Sequence, residues 1–130
     1  MNQKTVLITG CSRGIGLELV KQYADESWHV IATYRNHSDA LELLAKSHPN
    51  VSLKTLDITN PRQRTELANS LSGTSIDLLI HNAGFWGDDN QSLEIPFNQD
   101  SFCESFLQNC IAPLMLTQNI IPLMKQGQKI

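Results

Sequence analysis

Near its N-terminus the chain reads T-G-C-S-R-G-I-G, from Thr9 to Gly16. Glycines let a backbone approach a diphosphate with no Cβ in the way. A helix that begins among them offers unpaired N–H groups and the positive end of its macrodipole to an anion. The chemistry on offer is phosphate binding by main chain. Gly10, Gly14 and Gly16 are spaced G-x-x-x-G-x-G. That is neither the common dinucleotide fingerprint G-x-G-x-x-G nor a P-loop, which needs G-x-x-x-x-G-K-[ST]. Three glycines alone also fit a plain turn between strand and helix, so the surrounding elements have to decide.

Those elements alternate. Val6-Leu7-Ile8 is a short, β-branched-rich apolar run, and strand one is expected over about Thr5–Thr9. Apolar residues then recur at helical spacing through Ile15, Leu17, Val20 and Ala24, which predicts helix A over about Arg13–Glu26. Strand two follows at His29–Tyr34, and helix B at about Asp39–Lys46 with Ser38 as its cap. Strand three is Val51–Leu56. Helix C has a marked start: Asn60 caps it, and Pro61 takes the first helical position, where a missing N–H costs nothing. It closes near Leu71-Ser72-Gly73, and strand four is Ile76–His81. A loop rich in Gly, Asn and Asp runs from Asn82 to Pro96, and a long helix D is predicted from Ser101 to about Met124, broken by Gln126-Gly127-Gln128. Strand-helix alternation implies a doubly wound α/β fold: a parallel sheet with right-handed crossovers and helices on both faces. The pattern by itself allows dinucleotide-binding, flavodoxin-like and P-loop folds.

Composition narrows the partners. The chain has 130 residues, 41% of them hydrophobic and 18% charged, with a net charge of −3. That suits one globular domain over residues 1–130. The absence of any block of like charge argues against nucleic acid or an anionic membrane. With no signal-peptide pattern and no apolar stretch of spanning length, a cytoplasmic protein is expected. The three cysteines suggest no disulfide: Cys103 and Cys110 lie about 10 Å apart along one predicted helix. Cys11 sits in the glycine turn, where a helix N-terminus can lower a thiol's pKa, or where it simply fills a small space. The sequons at Asn36, Asn50 and Asn90 carry no meaning in a cytoplasmic setting. His29, His37 and His48 stand at element ends and form no ligand constellation, so no metal is expected.

In a dinucleotide fold, an acid after strand two grips the ribose hydroxyls of NAD. Here strand two ends Thr33-Tyr34-Arg35. A guanidinium there suits a 2′-phosphate, onto which it can fork. Arg13 in the glycine turn adds a second positive charge. Either arginine alone also fits a solvated surface; the two at one predicted spot favour NADP over NAD.

Several motifs now converge. T-G-C-S-R-G-I-G resembles the T-G-x-x-x-G-x-G of classical short-chain dehydrogenases/reductases. Asp57 in L-D-I-T matches that family's aspartate after strand three, His81-Asn82-Ala83-Gly84 resembles its N-N-A-G, and Asn109 in N-C-I-A-P matches its helix asparagine. The flanking words I-G-L-E-L-V, A-T-Y-R and I-D-L-L-I-H-N-A-G are most similar to the C-factor and sniffer-like carbonyl reductase branch. The resemblance covers essentially the whole chain. It implies a Rossmann-like fold and hydride transfer between NADP(H) and a small-molecule carbonyl or alcohol. Gly10, Ser12, Arg13, Gly14, Ile15 and Gly16 would cradle the pyrophosphate, with Arg35 at the 2′-phosphate. Asp57 and Ile58 would hold the adenine. Asn82 would tie strand four to its neighbour, and Ala83 and Gly84 would line the cofactor.

Two positions carry more than a match. His81 stands where the family has Asn; it can still donate and accept hydrogen bonds, and is read as structural. Asn109 has its own physical account. A helical N–H bonds the carbonyl four residues back, and Pro113 has none to offer. The Asn109 carbonyl is thereby freed, and the resemblance gives it a catalytic part, holding a water in the proton relay.

The family also needs a Tyr, a Lys four residues later and a Ser. No Y-x-x-x-K occurs here, and Tyr23 and Tyr34 fall too early. The expectation is therefore the cofactor-binding half of such an enzyme, incomplete at its C-terminus, with strand order 3-2-1-4 and the later strands missing. A non-catalytic dinucleotide-binding or interaction fragment is the alternative. Strand four would then be an uncovered edge, which invites self-association into a homo-oligomer.

Overall fold

The computed structural model describes residues 3–87 and 92–130. The order is β1 (Thr5–Ile8), α1 (Gly14–Asp25), β2 (His29–Tyr34), α2 (Asp39–Ser47), β3 (Val51–Thr55), α3 (Pro61–Ser70) and β4 (Ile76–Ile80). Then come α4 (Gln99–Phe106), a π-helical turn (Leu107–Ile111), α5 (Ala112–Ile120), a 3-10 turn (Ile121–Leu123) and β5 (Met124–Lys129).

The strands form one parallel sheet in the order β3-β2-β1-β4-β5. Val6 sits between Val30 of β2 and Leu78 of β4, and Leu7 between Ile31 and Leu79. Because side chains alternate along a strand, β1 feeds two cores at once. Val6 and Ile8 face Val20, Ala24 and Leu41 of α1 and α2. Leu7 faces Leu67 of α3 and Leu116 and Ile120 of α5. All of β1 is buried, as expected of a parallel strand covered on both faces.

The helix starts follow local chemistry. Ser38, Asn60 and Asn98 accept main-chain N–H bonds as caps of α2, α3 and α4. Among the described residues no helix is long and apolar enough to cross a membrane.

Two expectations need correction. Helix D does not run to Met124: α5 ends at Ile120, and Met124 opens β5, with Gln126-Gly127-Gln128 inside that strand. Consequently β4 is not an uncovered edge, and the later strands are not all missing, because β5 pairs with β4 in parallel. The pairing is irregular, with Met124 opposite Ile76 and Lys129 opposite Leu78, so extra residues bulge from β5. Gln128 secures it by donating from Nε2 to Asp77 Oδ1 at 3.0 Å, while Asp77 Oδ2 accepts from the Thr5 amide at 2.8 Å. The sheet edge on this side is therefore β5, whose polar M-K-Q-G-Q-K sequence offers no apolar edge for self-association. Asp88, Asp89 and the sequon at Asn90 lie outside the described residues.

Candidate functional site

The turn between β1 and α1 is built for close approach. Gly10 has φ +70°, and a Cβ there would stand 2.7 Å from Ala83 Cα. A Cβ on Gly16 would stand 2.2 Å from the Gly10 carbonyl oxygen and 2.5 Å from Asn82 Nδ2. Gly14 differs: its φ is +57°, and a Cβ would meet nothing within 4 Å. Gly10 and Gly16 thus let the protein pack on itself, whereas Gly14 faces open space. No side chain caps α1, and its first turn holds no acid. Its leading N–H groups are left for an anion.

That open space is a cavity of about 580 Å³, a size typical of small-molecule sites. It lies beyond the carboxyl ends of β1 to β4, at the point where strand order reverses between β1 and β4. Gly10, Ser12, Arg13, Gly14 and Ile15 line it from the turn. Arg35 lines it after β2, Asp57 and Ile58 after β3, and Asn82, Ala83 and Gly84 after β4. Of the sequence-derived binding residues, only Gly16 is absent from the lining; it is buried beneath the turn. Asn109 is likewise absent, and its neighbour Gln108 is present.

Charge is distributed unevenly around the cavity. Arg13 and Arg35 are exposed, and neither forms an ion pair among the described residues. His37, also at the rim, is held between Asp39 Oδ1 at 2.7 Å and Glu42 Oε1 at 3.3 Å. The hydrogen bond to Asp39, and then the charges of Glu42 and Asp39, raise its pKa. A glycine cradle with free helix N–H groups and two unpaired guanidiniums fits a dinucleotide with an extra phosphate.

The wall after β3 is pinned from α3. Asp57 Oδ1 accepts from the amide and hydroxyl of Thr59 at 3.0 and 2.7 Å, an Asx turn. The Asp57 amide donates to Gln63 Oε1 at 2.7 Å.

The wall after β4 is pinned to the glycine turn. Thr9 Oγ1 accepts from the amides of Asn82 and Ala83 at 3.1 and 3.0 Å. Asn82 Nδ2 donates to the Gly10 carbonyl at 2.9 Å. His81 points the other way. Thr117 Oγ1 donates to the Pro113 carbonyl at 2.9 Å, so it accepts from His81 Nε2–H at 2.7 Å. Burial lowers the His81 pKa, in keeping with a neutral ring.

Asn109 lies in the π-helical turn. The Ala112 amide bonds Leu107, five residues back, and Pro113 follows with no N–H. The sequence predicted one long helix D in which Pro113 frees the Asn109 carbonyl; the helix instead widens by one residue at this point. The Asn109 side chain grips Phe85 from both sides, accepting from its amide at 2.7 Å and donating to its carbonyl at 2.6 Å.

Cys11 is a filler and not a reactive thiol. It is fully buried, its Sγ donates to the Ile8 carbonyl at 3.2 Å, and burial pushes its pKa up to about 12. Among the described residues no group of three or more potential ligands could hold a metal. Sequence reasoning missed Thr9 as a site residue, and Asn36, His37, Ser38, Leu56 and Gln108 of the cavity lining. Thr9 had a signal, as a hydroxyl residue closing an apolar strand just ahead of the first glycine.

A profile of the short chain dehydrogenase family matches residues 4–129. An uncharacterized oxidoreductase of Schizosaccharomyces pombe is 33% identical over 130 residues, covering 96% of this chain and 51% of that protein. A carbonyl reductase from Pseudomonas aeruginosa, crystallised in complex with NADP, superposes with a TM-score of 0.91 at 30% identity, over 97% of this chain and 58% of that one. The carbonyl reductase Sniffer of Drosophila melanogaster superposes with a TM-score of 0.79 at 26% identity, over 94% of this chain and 52% of that one. The chain spans about half the length of the relatives it matches.

Proposed function

This chain belongs to the short chain dehydrogenase family, and from that premise we propose that it is the NADP(H)-binding half of an oxidoreductase acting on a small carbonyl or alcohol. The observation that carries the reading is the cavity at the carboxyl ends of β1 to β4, where Gly14 leaves open space beside Arg13 and Arg35.

The residues divide the work. Main-chain N–H groups from Ser12 to Gly16 would take the diphosphate. Arg13 and Arg35 would take the 2′-phosphate. Asp57 and Ile58 would hold the adenine, and Asn82, Ala83 and Gly84 would shape the floor toward the nicotinamide. When bound, the cofactor supplies the hydride of carbonyl reduction. The Asn109 carbonyl would hold a water for proton transfer, while its side chain fixes the Phe85 loop.

The absence of Y-x-x-x-K from these 130 residues supports one further limit. We propose that this chain alone binds the cofactor without reducing a carbonyl, which is the non-catalytic alternative in its strictest form. Self-association is proposed through the exposed apolar side chains of Phe106 and Leu114, which stand 63% and 59% exposed, and sizing by light scattering tests it. The functional reading is tested by titrating the chain with NADPH and NADH and following nicotinamide fluorescence. Saturable binding with NADPH preferred is expected; no binding, or equal affinities, removes the reading. Carbonyl reduction by this chain alone would overturn the limit on activity.

A further inference from the structure

We propose that Arg64 is a positioning residue that sets the Asp57–Ile58 wall of the cavity, and with it the affinity for the adenosine end of the cofactor; this rests on the dinucleotide-binding reading above. Arg64 lies one turn into α3, with 8% of its surface exposed. Its Nη1 donates to the Ile58 carbonyl at 2.7 Å. Its Nε is buried with no hydrogen-bond partner among the described residues. No ion pair among those residues includes it.

A guanidinium buried without a carboxylate is a costly way to fill space, and an apolar side chain of similar volume would pack there at lower cost. What the charge does instead is fix one peptide. Gln63 holds the Asp57 amide by a neutral hydrogen bond, and Thr59 donates two bonds to the Asp57 carboxylate. The Ile58 carbonyl accepts a charge-assisted bond from Arg64, which ties that peptide to α3. Asp57 and Ile58 line the cavity and Arg64 does not, so Arg64 acts through the main chain of Ile58.

The test compares two probes on the intact chain by calorimetry. Adenosine 2′,5′-bisphosphate requires the Asp57–Ile58 wall, whereas inorganic pyrophosphate requires only the glycine turn. Arg64→Met keeps the length of the side chain and removes its donors; Arg64→Lys keeps the charge. Arg64→Met is expected to weaken the adenosine ligand about tenfold and pyrophosphate by less than about twofold, with Arg64→Lys between. Equal weakening of both ligands, or of neither, overturns the proposal. Should Arg64→Met fail to fold, Arg64→Lys decides: about a threefold loss confined to the adenosine ligand supports it, and no selective loss overturns it. If the unaltered chain binds neither probe, the dinucleotide-binding reading falls first and this proposal with it.

Discussion

The side-chain amide of Asn82 meets the carbonyl oxygen of Gly10 at 2.9 Å across 72 residues of sequence. This bond joins the ends of β1 and β4 at the place where the sheet's strand order reverses. With the two amide bonds to Thr9 Oγ1, it makes the glycine turn and the wall after β4 one unit. Asn82→Ala leaves the Gly10 carbonyl short of a donor. It is expected to cost about 1–2 kcal/mol of stability in urea unfolding, and to weaken NADPH binding at the same time.

The glycines of the turn are expected to fail differently. Gly16→Ala places a Cβ against backbone, 2.2 Å from the Gly10 oxygen, and something in the main chain must move. A loss of about 2 kcal/mol or more follows. Gly14→Ala meets nothing within 4 Å and suffers only its positive φ, a loss of about 1 kcal/mol. Thermal melts of the two variants should show Gly16→Ala as clearly the worse.

Arg35 should set cofactor choice. Arg35→Asp replaces a phosphate partner with a carboxylate, which repels a 2′-phosphate and accepts from ribose hydroxyls. Preference is expected to shift from NADPH toward NADH by about tenfold or more in paired titrations. NADPH binding by the unaltered chain should also weaken as salt rises, because both arginines are exposed.

His81 predicts a pH effect with a definite sign. Burial lowers its pKa, so the native state resists a proton that the unfolded chain accepts near its ordinary value of 6.5. The stability this ring contributes is present above that ordinary value and is lost as pH falls through the native one. His81→Asn should therefore lose less stability than the unaltered chain between about pH 7.5 and 5.5 in paired melts. His37 and His48 have raised values and act in the opposite sense, which is why the paired variant is needed.

Most of the framework was legible because its signals are local. Val6-Leu7-Ile8 could be read as a strand, and Asn60-Pro61 as a helix start, from residue types alone. Gly10, Gly14 and Gly16 were legible from their spacing after a strand, whereas Asp57, Ile58, Asn82, Ala83 and Gly84 were reached through the family motifs they resemble, and Gln108, which follows no strand, was not reached at all. β5 was not legible. Met124 to Lys129 reads M-K-Q-G-Q-K, with no apolar alternation, and its strand character comes from pairing with β4 and from the Gln128–Asp77 bond. The π-helical turn was also hidden. Pro113 announced an interruption, but a widened turn depends on how both helical halves pack, through Ala112 and Leu116 on one side and the Asn109 grip on Phe85 on the other. Arg64 carried no signal of its own in the sequence of a polar helix, and only the path of the chain after β3 buries it.

The sealed position of Cys11 has a practical consequence. Cys103 and Cys110 are exposed, whereas Cys11 sits under the glycine turn with its thiol held protonated. A thiol reagent should modify two sulfurs promptly and the third only when the junction of β1 and α1 breathes. The slow phase is then a clock for that opening, and a bound nucleotide that clasps the junction should make it run slower.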